Sequence, residues 1–254
     1  MVTPFHNDPC DPKTRALMRE VLDSLPDGGS SCIRVIVKAK HGITKKGQCL
    51  GVMPASFNPP TLAHTVLAQE AMRALQFDEF FLVLDTMVMD KTCIGAPLED
   101  RLLMLLAIFS DDPTISMGVA NRGLFLDKVE ALQKVYPSET KIYFVVGFDT
   151  IVRVLDPKYY RDREQALQKL FSQARFLVAN RGDCDQQDLK ELFRKVTNRA
   201  FAAQVVPFKV PSFVAWISST LVRQKWAEGE SVQGLVPPQV EEFLNKRGFY
   251  YGHT

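Results

Sequence analysis

The sequence predicts an α/β fold: a Rossmann-like, doubly wound, mainly parallel sheet with helices on both faces. Three observations carry this expectation. From Cys49 onward, short apolar runs of strand length alternate with segments of helical period, as βαβ units require. Runs such as EFFLVLD and KIYFVVG are apolar almost throughout, which suits strands covered on both faces. The helical segments between them serve as crossovers, and crossovers in such sheets are right-handed.

Taken in order, residues 1–30 read as an N-terminal extension, and residues 31–254 as a single domain. Within the extension a short amphipathic helix is expected over 12–25, with Leu17, Val21 and Leu25 on one face. It stops at the breaker PDGGSS. CIRVIVKAK alternates in part, as an edge strand with one wet face does, and GITKKGQ is a polar turn. CLGVM is a strand, and AHTVLAQEAMRAL a helix with Val66, Leu67, Ala71 and Leu75 inward. EFFLVLD is a strand and LEDRLLMLLAIF a helix. TISMGVA, KIYFVVG and ARFLVAN continue the sheet, with helices near 125–135 and 189–196. AQVVPFKV is the last strand, and LVRQKWAEG and PQVEEFLNKRG are the closing helices.

Composition narrows the function classes. Of 254 residues, 46% are hydrophobic and 24% charged, ordinary for a soluble globular chain. Net charge is +2 with the signs interspersed, so bulk charge points neither to nucleic acid nor to an anionic membrane. No apolar run approaches the roughly 18–20 residues of a membrane helix. The N-terminus has no secretory pattern. Five cysteines (10, 32, 49, 93 and 184) lack metal-site spacing and read as reduced thiols. With four scattered histidines no protein metal site is expected, and the chain is placed in the cytoplasm, with the nucleus left open.

In doubly wound sheets ligands bind outside the carboxyl ends of the strands, and three stretches with chemical content fall at expected strand ends or helix starts, with a fourth in a loop after a strand. In SFNPPTLAH, Ser56 and Phe57 follow a strand and His64 stands in the first helical turn, where free N–H groups favour phosphate. Thr61 as an ordinary N-cap explains the same letters. In WISSTLVRQKW, Ser218, Ser219 and Thr220 open a helix and Arg223 lies one turn in, suited to forking onto phosphate. A capped helix with a surface arginine is the plainer alternative. VVGFDT ends a strand in Gly147, which admits close approach, followed by Asp149, which can accept from ribose hydroxyls; an Asx-capped turn fits equally well. Lys91 follows a strand and loop, where it is either a phosphate contact or a solvated lysine.

Together these stretches resemble one family. SFNPPTLAH is similar to the (His/Thr)-x-Gly-His signature of the nucleotidylyltransferase superfamily, and ISSTLVR to its ISSTxxR signature. The order of motifs resembles the nicotinamide/nicotinate mononucleotide adenylyltransferases over roughly residues 49–250: phosphate turn, Asp-Lys loop, LEDRLLML, Gly-x-Asp, an Asn-Arg strand end at Arg181, ISSTxxR and VPPQVEEFLNKRGFY. The resemblance implies direct in-line attack of a pyridine mononucleotide's phosphate on ATP, with Mg²⁺ carried by the ATP, giving NAD or its deamido form and pyrophosphate. It implies His64 and Arg223 as catalytic, with Ser56, Phe57, Lys91, Gly147, Asp149, Arg181, Ser218, Ser219 and Thr220 binding ATP or product. Where many members carry a ring-stacking Trp, Phe125 and Tyr160 of the Tyr159-Tyr160 pair are the candidates.

The chain departs from the pattern in three places. Pro54-Ala55-Ser56 occupies a usual Gly turn, Thr61 replaces the first His, and Ala63 replaces the Gly before His64. Another nucleotidylyltransferase of the superfamily and a non-catalytic nucleotide-binding descendant are the alternatives. AWISSTLVR differs from the cytidylyltransferases' RTEGISTT, and pantetheine-phosphate adenylyltransferases are shorter. The choice between amide and acid, and homo-oligomer formation, stay open.

Overall fold

EFFLVLD is buried on both sides: Phe80, Leu82 and Leu84 pack into one hydrophobic cluster, and Phe81 and Val83 into the other. A strand with two dry faces belongs at the centre of a sheet, and that is where the computed structural model places it. The structure describes residues 11–26, 30–87 and 95–250.

In chain order the elements are α1 (Pro12–Asp23), β1 (Ile33–Val37), β2 (Cys49–Ala55), α2 (Leu62–Ala74), β3 (Glu79–Asp85) and α3 (Leu98–Phe109). Then come β4 (Ile115–Ala120), α4 (Phe125–Val135), β5 (Lys141–Gly147), α5 (Phe148–Val154), α6 (Arg163–Gln173) and β6 (Ala174–Ala179). The chain closes with α7 (Gln186–Arg194), β7 (Val205–Phe208), α8 (Ser212–Ala215), α9 (Ser219–Ala227) and α10 (Pro238–Arg247).

The sheet order is β1-β4-β3-β2-β5-β6-β7. All neighbours are parallel except the edge pair β1–β4, which is antiparallel. The strand order reverses between β2 and β5, so the topological switch point lies at the carboxyl ends of these two strands. Residues from α1, α2, α3, α9 and α10 pack on one face, and residues from α4 to α7 on the other. The doubly wound expectation is met. Each fully buried Leu or Phe in these layers contributes roughly 1.5–3 kcal/mol of burial.

Pro54 shows how the sequence accommodates the switch. Proline cannot donate to a ladder, so a central strand should not hold one. Pairing of β2 with β5 ends at Val52, whereas pairing with β3 continues to Ala55. Pro54 therefore stands where β2 and β5 have parted. The strand runs through Pro54 and Ala55 instead of turning there.

Several details differ from the sequence reading. Helices α5 and α6 fill a stretch for which no helix was expected. Helix α5 starts directly after β5 and has 7 residues, too few to show a period. In α2 the buried positions are Thr65, Ala68 and Ala71, with Val66 and Leu67 half-buried. Helix α1 is docked onto α3: Met18 is fully buried, Arg15 forks onto Asp100 at 2.8–3.2 Å, and Arg19 reaches Glu99. At the amino ends of the strands, fully buried Glu79 accepts from Lys38, Ser116, Tyr136 and the Ile43 N–H, which ties the 38–43 loop to the sheet. No helix among the described residues is long and apolar enough to cross a membrane. Cys32, Cys49 and Cys184 are free thiols, and Cys10 and Cys93 lie outside the described residues.

Candidate functional site

The parting of β2 from β5 opens a cavity of about 340 Å³ at the switch point. That volume is within the range of small-molecule sites. Its floor is Met53 to Ser56 and Val145 to Gly147, and α2, α5 and α9 all begin on its wall, at Ala63-His64, Asp149-Thr150 and Ser219-Thr220. The first N–H groups of a helix have no partner within it and carry the positive end of the dipole. Three such ends around one cavity favour an anion.

Side-chain charge reinforces the backbone. Among the described residues, Arg101, Arg181 and Arg223 line the cavity against one carboxylate, Asp149. That carboxylate is 53% exposed and reaches Arg153 at 3.4 Å. Arg101 is 2% exposed, donates Nε to the Ala96 carbonyl at 2.7 Å and Nη1 to the Ser56 carbonyl at 3.4 Å, and has no carboxylate within ion-pair distance among the described residues. A buried cation satisfied only by carbonyls is costly unless an anion joins it.

His64 is half-buried on the cavity wall. The Thr61 N–H donates to its Nδ1 at 3.0 Å, and the Thr61 hydroxyl lies 2.8 Å from the same nitrogen. Nδ1 is thus the acceptor, which places the ring's single proton on Nε2. Burial, with the nearby Arg181 guanidinium as a second cause, pushes the His64 pKa down to about 4. At neutral pH the ring is an uncharged donor.

The second motif docks onto the first. Ser219 Oγ donates to the Pro59 carbonyl at 2.8 Å, and Arg223 Nη1 to the Asn58 carbonyl at 2.7 Å. Arg223 Nη2 reaches Thr220 Oγ1 at 3.3 Å, and Ser218 Oγ caps α9 by accepting from the Leu221 N–H at 3.1 Å. The three hydroxyls therefore each hold a structural bond, and Ser218, Ser219 and Thr220 all line the cavity. Arg181 is aimed from the β6 end by its 2.6 Å bond to the Ile217 carbonyl.

Of the sequence-derived candidates, Ser56, His64, Gly147, Asp149, Arg181, Ser218, Ser219, Thr220 and Arg223 meet at this one cavity. Lys91 lies outside the described residues. Phe57 requires correction: its side chain is fully buried, its φ is +42°, and its ring packs 5.0 Å from that of His64. It backs the histidine instead of lining the cavity. Phe125 is a core residue, 7% exposed, edge-on to Phe144 at 4.8 Å, because the apolar face of α4 turns it into the sheet. Tyr160 packs beside that same cluster and donates to the Val154 carbonyl at 2.7 Å, which holds it off the cavity wall.

Three contributors were not among the expected site residues, although Arg101 and Asn180 fall within the LEDRLLML and Asn-Arg stretches of the motif order. Arg101 was legible as a lone cation in an apolar helical run. Asn58 and Asn180 were not, because their work is to hold backbone: Asn180 exchanges two bonds with Val210, at 2.8 and 3.3 Å. At the carboxyl end of β3, Lys128 is 1% exposed and 3.0 Å from Asp85, whose pKa burial pushes up to about 6.

The family described as Cytidylyltransferase-like matches residues 52–225. A Schizosaccharomyces pombe protein named as a candidate nicotinamide mononucleotide adenylyltransferase is 29% identical over 209 residues, 76% of this chain and 82% of its own. A Dehalococcoides mccartyi protein named as a candidate nicotinate-nucleotide adenylyltransferase is 26% identical over 208 residues, 79% of this chain and 96% of its own. In structure the chain resembles Plasmodium falciparum nicotinic acid mononucleotide adenylyltransferase complexed with NaAD, with a TM-score of 0.61 at 18% identity, covering 80% of this chain and 97% of that one. The same enzyme complexed with APC gives a TM-score of 0.58. These two likenesses speak to the fold.

Proposed function

The chain belongs to the cytidylyltransferase-like family of nucleotidyltransferases, and from that premise we propose that it is an adenylyltransferase joining ATP to nicotinamide mononucleotide (NMN) or nicotinic acid mononucleotide (NaMN). The observation that carries the reading is the docking of ISSTLVR onto SFNPPTLAH, which brings His64, Arg181 and Arg223 to one cavity at the switch point. The relatives' names support the choice of acceptor.

In this reading an oxygen of the acceptor's 5′-phosphate attacks the α-phosphorus of ATP. The bond from that phosphorus to the β-bridging oxygen breaks, and pyrophosphate leaves with the electron pair. Such a transfer needs alignment and charge stabilisation and no protein nucleophile. His64 Nε2–H donates to an α-phosphate oxygen, where charge shifts as the bond forms. Arg101, Arg181 and Arg223 hold the remaining phosphates, helped by the amides that open α9. Asp149 at the β5 end serves the adenosine side.

Mg²⁺ would come with ATP and shield phosphate charge. Among the described residues no group of three His, Cys, Asp or Glu side chains is placed to hold a metal.

The test is pyrophosphate release with ATP paired with NMN, NaMN or phosphopantetheine, and with CTP in place of ATP. Turnover confined to ATP with a pyridine mononucleotide supports the proposal. Turnover only with another pair assigns a different nucleotidyl transfer, and none with any pair favours a non-catalytic nucleotide-binding protein.

A further inference from the structure

The roles above leave the C-terminal tail unassigned. Helix α10 ends at Gly248, whose φ of +65° turns the chain back, and Phe249 and Tyr250 then pack against the core. A core contact alone would be served by two apolar rings. Tyr250 does more: its hydroxyl donates to Asn58 Oδ1 at 2.8 Å, joining residues 192 apart.

Asn58 stands at a junction. It is 6% exposed, and its carbonyl accepts from Arg223 at 2.7 Å. Its Oδ1 also accepts from the Ala96 N–H at 3.2 Å, and the Ala96 carbonyl accepts from Arg101 at 2.7 Å. The chain passes close to the amide at Gly95, where any side chain would collide with it: a Cβ there would lie 2.4 Å from Asn58 Oδ1. The Tyr250 hydroxyl remains a donor across the physiological range, because burial pushes its pKa up to about 12.

We propose that Tyr250 is a positioning residue for nucleotidyl transfer: its hydroxyl fixes Asn58, and through Asn58 the aim of Arg223 and Arg101 at the phosphates. This rests on the function proposed above. Tyr250 is not on the cavity wall, so it acts through the amide and not on substrate. The tail thereby becomes part of the site, although it lies farthest from the phosphate turn in sequence. Removing one hydrogen bond from a buried acceptor is a modest loss, so the expected effect is about tenfold and not abolition.

The experiment uses the full chain with Tyr250→Phe, Asn58→Ala and the double variant, reading melting temperature, kcat and the KM values for ATP and mononucleotide. Tyr250→Phe should melt within a few degrees of wild type and lose about tenfold in kcat/KM for ATP, with KM for the mononucleotide unchanged. The double variant should be no worse than Asn58→Ala. Wild-type kinetics in Tyr250→Phe, or losses that multiply in the double variant, would overturn the proposal. Should Asn58→Ala fail to fold, Tyr250→Phe alone decides. If wild type turns over no pair, the proposed function fails and heat protection by MgATP becomes the readout. A smaller protection in Tyr250→Phe then supports the positioning role, and equal protection refutes it.

Discussion

Arg223 Nη1 donates to the main-chain carbonyl of Asn58 at 2.7 Å, across 165 residues of sequence. That bond joins the two motifs, and with the Nη2 bond to Thr220 it uses two guanidinium N–H groups, which leaves the others for a ligand. Burial, the leading cause, lowers the Arg223 pKa, and nearby Arg101 lowers it further. A bound anion relieves both penalties.

Arg223→Lys should therefore not behave conservatively. An ammonium can hold the Asn58 carbonyl or meet phosphate, but it lacks the planar fork that does both. Charged hydrogen bonds contribute about 1.5–3 kcal/mol, so kcat/KM for ATP should fall roughly 10–100-fold with the fold intact by circular dichroism. Unchanged kinetics would reduce ISSTLVR to a capped helix.

In the proposed transfer, His64→Ala removes a donor to the α-phosphate. Loss of one such donor costs about 10²–10³ in kcat, while ATP affinity should change less because three arginines remain. The Thr61 N–H also loses its acceptor, so stability should drop by about 1 kcal/mol, as for a lost cap. Turnover within a few-fold of wild type would remove His64 from the mechanism.

The pH dependence follows from the lowered His64 pKa. Its folded value, about 4, lies below the unfolded 6.5, so the unfolded chain binds the proton first as pH falls. Stability from the neutral ring is complete above pH 6.5 and is lost as pH falls toward 4. Between pH 6 and 8 His64 should stay neutral, and its imidazole NMR signals should not shift. Burial is the larger cause, so Arg181→Gln should raise the midpoint only part of the way toward 6.5. A wild-type midpoint near 6.5 would show a solvated ring with no fixed donor role.

Arg101→Met keeps volume and removes a buried charge held only by carbonyls. Melting temperature should change by a few degrees at most, and protection by MgATP should shrink markedly. A large loss of stability with full MgATP protection would make Arg101 a strut for the Ser56 turn and nothing more.

MgATP should protect the wild-type chain against heat. A ligand bound only by the folded state at 100 times its dissociation constant adds about 2.7 kcal/mol. No rise in melting temperature at millimolar MgATP, with or without mononucleotide, would argue against an ATP site in this cavity.

Much of this molecule is written locally. Strands β3 and β5 are legible because two dry faces leave a continuous apolar run, and α3 because its period and length are unbroken. The turn before α2 and the ISSTLVR helix are legible because their letters do local work: Thr61 and Ser218 stand at helix starts, and His64 and Arg223 lie one turn in. Helix α6 escaped even though Leu167, Leu170 and Phe171 carry its inward face, because polar residues dominate its 11 positions.

The alternation of strands and helices is plain in the letters, and with it a sheet that has a switch point. Which aromatic residues face a ligand was decided only by tertiary structure. Periodicity says that one face of α4 is apolar, but not that Phe125 meets Phe144 beneath it. Tertiary structure also decided the supporting shell: Asn58 reads as a turn residue and Tyr250 as a tail aromatic, until the 2.8 Å bond between them appears. The physical reason is range. Helical and strand periods are set by neighbours a few residues away, whereas the aim of Arg223 depends on an acceptor carbonyl that only the closed sheet brings within reach.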